Sequence, residues 1–85
     1  MQPINFTKDE AGKIFADMTG ISESEAYALK RYTTDRGLIS TAWSDGLYMH
    51  FGFYVPENWD GEAHATRYLD RILGEVRFGS RETLS

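Results

Sequence analysis

Two histidines are the side chains of this 85-residue chain best suited to acid–base or metal chemistry, and neither stands in a pattern that such chemistry requires. Catalysis by side chains needs a nucleophile or a metal beside a tuned acid or base. His64 has Tyr68 at i+4, where a second metal ligand on the same helix face would be needed. His50 stands among aromatic residues, which favours a packing role. We therefore predict no catalytic residue, no cofactor-binding residue and no metal ligand.

Other signatures of enzymes and membrane proteins are missing from the sequence. Without cysteine the chain has no disulfide, thiolate metal site or cysteine nucleophile, which favours a reducing compartment. Its eight glycines are scattered and form no phosphate-binding loop. The start has no signal-peptide pattern, and no apolar run is long enough to span a bilayer. These features predict a cytoplasmic protein with no enzymatic activity and no membrane contact.

Length and composition predict one folded domain over residues 1–85. Hydrophobic residues make up 41% of the chain and charged residues 26%, which is typical of a packed globule too short for two cores. Nine Lys and Arg oppose thirteen Asp and Glu, for a formal net charge of -4. This charge disfavours direct binding to nucleic acid.

Three helices are predicted from capping motifs and apolar spacing. The first spans residues 7–20, because Thr7 and Glu10 match a capping box that precedes an apolar stripe. The second opens with another capping box, Ser22 with Glu25, and runs to about residue 36. The third runs from about residue 61 to residue 76, and residues 76–85 are expected to be a frayed tail. The apolar stripe of the first helix consists of Ala11, Ile14, Phe15 and Met18.

A β-hairpin is predicted between the second and third helices, where the apolar pattern changes to a period of two. Asp45 and Gly46 are a strong signal for a two-residue turn, which pairs Ser44 with Leu47 and places Trp43 opposite Tyr48. One face of the hairpin is apolar: Leu47, Met49, Phe51, Phe53 and Val55. The other face is aromatic: Trp43, Tyr48, His50 and Tyr54. A second element or a partner must cover part of this aromatic face.

The stretch MTGISESEAYALKRYTTDRGLIS resembles the helix-turn-helix segment of winged-helix transcriptional regulators, and the resemblance extends over residues 14–55. It implies that Ser24, Tyr27, Lys30 and Arg31 lie on a recognition helix that binds DNA. The chain departs from that family between residues 37 and 66, where it has no Lys or Arg to contact phosphates.

The predicted fold is therefore α+β and winged-helix-like, with two N-terminal helices, an antiparallel β-hairpin and a C-terminal helix. Its sheet has two strands, or three if residues 2–6 form another. The predicted core consists of Ile14, Phe15, Met18, Leu29, Leu38, Phe51, Phe53, Leu69, Ile72 and Val76.

In size, charge and lack of cysteine the chain is also similar to small inhibitors encoded by phages, the anti-CRISPR proteins among them. This resemblance implies a protein that binds a basic surface of a nucleic-acid-binding complex and inhibits or modulates it. If a phage encodes the chain, the expected compartment is the host cytoplasm. The candidate partner-binding residues are Trp43, Asp45, Tyr48, Tyr54, Glu57, Trp59 and Asp60. The alternative is a winged-helix DNA-binding regulator, and the oligomeric state is left open.

Overall fold

A computed structural model describes residues 3–78, which form one antiparallel sheet and two helices. In chain order the elements are β1 (Ile4–Lys8), β2 (Ile14–Met18), α1 (Glu23–Asp35), β3 (Ser40–Ser44), β4 (Met49–Tyr54) and α2 (Gly61–Phe78). The strands lie in the order β1-β2-β4-β3. The chain is thus two successive ββα units, with the second strands of the two units adjacent at the centre of the sheet.

The hydrophobic core lies between one face of the sheet and both helices. The strands contribute alternate residues, among them Ala16, Met18, Phe51 and Phe53, which are buried. The helices contribute buried residues at helical spacing: Ala26 and Leu29 from α1, and Ala65, Leu69, Ile72 and Leu73 from α2. Because both helices cover the same face, no helix in the described part of the chain packs on the opposite face of the sheet. Within residues 3–78, neither helix is long and apolar enough to cross a membrane.

Helix α1 starts at the capping box that the sequence predicts. The Ser22 hydroxyl accepts a hydrogen bond from the Glu25 backbone N–H at 3.1 Å, and the Glu25 carboxylate accepts one from Ser22 N–H at 2.9 Å. Arg77 of α2 donates from Nε to the same carboxylate at 2.8 Å. These bonds from Arg77 and Ser22 hold the pKa of Glu25 below its usual value. One carboxylate thus caps α1 and links it to the end of α2.

The capping box gives a direct test of α1. Replacing Ser22 with alanine is expected to lower the free energy of unfolding by about 1 kcal/mol, because a helix N–H loses its partner. Glu10 of the other predicted capping box lies exposed in a turn, so Glu10→Ala is expected to change stability by less than about 0.5 kcal/mol. Urea unfolding of the two variants measures both values. Equal losses of stability in the two variants would contradict the conclusion that Ser22 caps a helix and Glu10 does not.

The predicted helix over residues 7–20 is wrong, because this segment forms the β1–β2 hairpin. The side chain of Asp9 accepts hydrogen bonds from the backbone N–H groups of Ala11 and Lys13, both at 2.9 Å. Gly12 has φ 83°, a conformation that suits a turn and not a helix interior. The spacing of Ile14, Phe15 and Met18 is compatible with a helix and with a strand. Pairing with β1 and β4 makes this segment a strand.

The predicted fold is corrected accordingly: the protein is α+β, but residues 3–78 form four strands and two helices in place of a winged-helix-like arrangement. A strand does lie near the N-terminus, over Ile4–Lys8, where the alternative placed one over residues 2–6. At the other end, α2 continues to Phe78, so residues 76–78 are helical and not part of a tail. The rest of the predicted tail lies outside the described residues.

The β3–β4 hairpin has a four-residue connection, residues 45–48, in place of the predicted two-residue turn. Trp43 pairs with His50 and Ser44 pairs with Met49, a shift of two residues from the predicted register. The cause is Asp45, whose side chain accepts hydrogen bonds from the backbone N–H groups of both Leu47 and Tyr48. A shift of two residues leaves the side chains of the paired strand residues on their predicted faces, whereas Leu47 and Tyr48 move into the connection.

Candidate functional site

The candidate functional site is the face of the sheet opposite the helices, which we call the open face. The strand register places on it Asn5, Thr7, Phe15, Asp17, Thr41, Trp43, His50, Gly52 and Tyr54. Tyr54 is 39% exposed, and the neighbouring Ile39 is 70% exposed. A sheet surface with several large apolar side chains, over which no helix of residues 3–78 packs, is typical of an interaction site.

Phe15 is at the centre of the open face because Gly52 gives it room. A Cβ atom at Gly52 would lie 2.6 Å from Phe15 Cε2, so the ring rests directly on the glycine. Tyr54 meets this ring edge-on with centroids 5.0 Å apart, and Trp43 lies 6.1 Å from it at a tilt. Three aromatic rings therefore form one continuous surface across strands β2, β3 and β4.

His50 continues this aromatic surface and adds a titratable group to it. Its ring stacks on Trp43, with centroids 4.7 Å apart and planes 8° from parallel. Nδ1 lies 2.9 Å from Asp17 Oδ1, and Nε2 lies 2.7 Å from Asp45 Oδ2. The two carboxylates thus lie at opposite edges of the ring. No three acidic, cysteine or histidine residues among 3–78 are arranged to hold a metal ion.

The two carboxylates change the acid–base properties of His50. Hydrogen bonds to Asp45 and then to Asp17 raise the pKa of His50, against a smaller opposing effect of burial. The hydrogen bond from His50, with those from Tyr48 and Leu47, lowers the pKa of Asp45 to about 2. The protonated imidazole is therefore stabilised where it lies against Trp43.

Four of the predicted partner-binding residues meet at the open face. Trp43 and Tyr54 lie on it, and Asp45 and Tyr48 lie in the connection at its end, where Tyr48 is 60% exposed. The sequence placed Trp43 opposite Tyr48, whereas the structure places it opposite His50.

The other three predicted residues, Glu57, Trp59 and Asp60, lie in the connection between β4 and α2. Glu57 and Asp60 are exposed. Trp59 was expected to be exposed, but it is half-buried: its ring stacks on His64 at 4.3 Å and packs edge-on against Phe53 at 5.8 Å. Trp59 therefore belongs to the border of the core and not to the open face.

Sequence reasoning missed three residues of this site. It placed Phe15 in the core and assigned no role to Asp17 or Gly52. The signal was present in Ile4 to Lys8, where apolar and polar residues alternate as in a strand. A strand at that position needs a neighbouring strand to pair with. If residues 14–18 form that neighbour, Phe15 and Asp17 lie on the face opposite Ala16.

The alternative DNA-binding residues lie elsewhere, on α1. Ser24, Tyr27 and Arg31 line a groove between α1 and α2, and Lys30 is exposed nearby. Tyr27 is 49% exposed. This groove lies on the helical side of the molecule, away from the open face.

The net negative charge is carried by the sheet and its connections. Each helix is balanced: α2 has three cations and three carboxylates, as does α1 taken with its C-cap Arg36. Outside the helices and Arg36, residues 3–78 contain two cations, Lys8 and Lys13, and six carboxylates: Asp9, Glu10, Asp17, Asp45, Glu57 and Asp60. The layer that contains the aromatic surface is thus acidic, whereas the helical layer is neutral.

Comparison with known proteins gives no family to which this site can be assigned. The aromatic surface, the Asp17–His50–Asp45 bridge and the acidic sheet layer must therefore be interpreted from their own chemistry. A search of protein-family models, of curated proteins and of solved structures finds no match to this chain.

Proposed function

We propose that this chain is a small acidic binding protein whose open face covers a basic surface of a macromolecular partner, and thereby inhibits or modulates it. The observation that carries the proposal is the continuous aromatic surface of Phe15, Trp43 and Tyr54 in an acidic sheet layer. Aromatic residues are enriched at the centres of protein interfaces, and truncating them there costs more binding energy than truncating most others.

The chemistry of the open face favours arginine as the partner residue. A guanidinium group is planar and stacks on aromatic rings, and it also binds carboxylates through its N–H groups. The open face offers rings at Trp43 and Tyr54. Carboxylates lie nearby at Asp17, which also bonds to His50, and at Glu57, which lines a groove beside Tyr54 together with Lys13. Arginine-rich surfaces are typical of proteins that bind nucleic acids, so the partner belongs to such a complex. Occupying that surface would block access of the nucleic acid.

The first experiment titrates the protein with a short peptide of alternating arginine and glycine, at low ionic strength, and follows backbone and indole N–H signals by NMR. We expect shifts at Trp43, Gly52 and Tyr54. Trp43→Ala and Tyr54→Ala are each expected to weaken binding about tenfold, which corresponds to about 1.4 kcal/mol. Added salt is expected to weaken binding because charges are screened.

Matched controls come from the helical layer. Tyr27 on α1 is exposed to a similar extent as Tyr54, so Tyr27→Ala is expected to leave binding unchanged. Likewise Glu57→Lys beside the open face is expected to weaken binding, whereas Asp70→Lys on α2 is not. Shifts confined to Tyr27 and Arg31 would contradict the assignment of the open face.

A second measurement tests the inhibitory function. A fluorescein-labelled DNA duplex is first bound by the arginine peptide, and the protein is then added while anisotropy is recorded. Displacement of the DNA supports the proposal. If the anisotropy of the labelled DNA rises when the protein is added without the peptide, the result would instead favour the DNA-binding regulator. If sedimentation shows that the protein self-associates through the open face, a second copy of the chain would be favoured as the occupant.

A further inference from the structure

Three elements meet at the side chain of His50. His50 lies in β4, Asp17 lies in β2, and Asp45 begins the connection between β3 and β4. The contacts are short, at 2.9 Å from Nδ1 to Asp17 and 2.7 Å from Nε2 to Asp45. The third neighbour is Trp43 of β3, which stacks on the ring and carries no charge. Asp17 and Asp45 are the charged groups that contact His50 among residues 3–78.

The number of protons on His50 decides how many of these bonds exist. A neutral imidazole has one N–H donor, whereas an imidazolium has two. An ionised carboxylate can only accept. Both contacts are therefore hydrogen bonds only when His50 is protonated, and loss of the proton turns one of them into repulsion between a nitrogen lone pair and a carboxylate.

The bond from Nε2 to Asp45 attaches the β3–β4 connection to the middle of the sheet. Inside this connection the turn is held by other bonds: Asp45 Oδ1 accepts from Leu47 N–H at 2.9 Å and from Tyr48 N–H at 2.8 Å. The turn therefore keeps its shape without His50, but loses a side-chain anchor. Its tip, Leu47 and Tyr48, is 86% and 60% exposed.

We propose that Asp17, His50 and Asp45 form a proton-operated clasp that holds the tip of the β3–β4 connection against the open face when His50 is protonated and releases it when His50 is neutral. The bond to Asp45 is the one that is lost. The Asp45 side chain is 43% exposed and can be solvated by water, whereas that of Asp17 is 21% exposed and is held on a central strand.

The direction of the pH effect follows from the same contacts. The two carboxylates raise the pKa of His50 above the value of about 6.5 that it has in an unfolded chain. Such a group stabilises the folded state fully below about pH 6.5, and the stabilisation is lost as pH rises through the raised value. The clasp is therefore closed below about pH 6.5 and opens as the pH rises through the raised pKa of His50.

The test is an NMR measurement on the free protein, so it does not depend on the proposed partner. The imidazole signals of His50 and His64 are titrated, and backbone ¹⁵N order parameters are recorded on either side of the His50 midpoint. We expect His50 to titrate above about pH 6.5. The order parameters at the tip are expected to fall from about 0.85 towards 0.6 as His50 loses its proton.

The β1–β2 turn is an internal control for this measurement. Asp9 closes it with bonds to Ala11 and Lys13 N–H, much as Asp45 closes the other turn, but no histidine bonds to Asp9. The order parameters at Ala11 and Gly12 are expected to stay constant with pH. If those of Leu47 and Tyr48 also stay constant while His50 titrates, the clasp does not hold the tip and the proposal is wrong.

Two variants separate the clasp from a general effect of pH. His50→Gln removes the titrating group and is expected to abolish the pH dependence at the tip. Asp45→Asn keeps an oxygen that can accept from Leu47 and Tyr48 N–H, but presents an NH₂ group to Nε2. That group can donate only to a neutral ring, so the pH dependence is expected to reverse. An unchanged direction in Asp45→Asn would overturn the proposal.

Discussion

Truncating Phe53 to alanine is expected to lower the free energy of unfolding by about 4 kcal/mol, a large part of the stability of a small domain. Phe53 is fully buried on β4, and its ring packs against those of Phe51, Trp59 and Tyr68. The truncation leaves a cavity between the sheet and α2 that these large rings cannot close. Urea unfolding followed by circular dichroism measures the loss.

The matched control is the next residue along the strand. Tyr54 faces the open side, where its main aromatic contact is the edge-on one to Phe15. Tyr54→Ala is therefore expected to cost only about 1 kcal/mol. Losses of similar size at the two positions would mean that β4 does not separate a buried face from an open one, and the description of the open face would fail with it.

Adding a single methyl group at Gly52 is the second substitution with a large expected effect. A Cβ atom there would overlap the Phe15 ring and lie 2.9 Å from the backbone oxygen of Ala16. The ring cannot move freely because it also contacts Trp43 and Tyr54. Gly52→Ala is expected to destabilise the fold by about 2 kcal/mol, although alanine is the better residue for a strand on entropic grounds. Urea unfolding measures this difference.

Two further variants test that explanation. Gly74 lies in α2, where an added Cβ atom would meet nothing within 4 Å, so Gly74→Ala is expected to stabilise the protein by up to about 1 kcal/mol. In a Phe15→Ala background the cost of Gly52→Ala is expected to fall by more than about 1 kcal/mol, because the overlapping ring is gone. An unchanged cost would show that Phe15 does not rest on Gly52.

The helices were predictable because the information that specifies them is local. The capping box at Ser22, which the structure confirms, and the buried residues Ala26, Leu29 and Thr33 lie within four turns of one another. The predicted start of α2 and its predicted core residues Leu69 and Ile72 also agree with the structure, whereas the predicted core residue Val76 is only half-buried. Local propensity and tertiary packing favour the same conformation in these two segments.

The segment over residues 7–20 was mispredicted because there local signals and tertiary packing disagree. Thr7 with Glu10 looks like a helix start, and five residues such as IFADM are too short to distinguish a helical period from a strand. Strand β2 lies between β1 and β4, so each of its edges gains hydrogen bonds from a neighbour. The partners in those hydrogen bonds are distant in sequence, so a local motif such as a capping box cannot predict them.

The sequence alone was enough to specify the two helices, the alternation along β4 and hence the aromatic character of one face of the sheet. Tertiary structure was needed to show that this face includes Phe15, that Gly52 makes room for its ring, and that Asp17 bonds to His50 from 33 residues away. The two kinds of feature differ in the sequence separation of the residues that interact. Helix capping and strand alternation act between near neighbours, whereas strand pairing depends on which distant segments bury their apolar faces together.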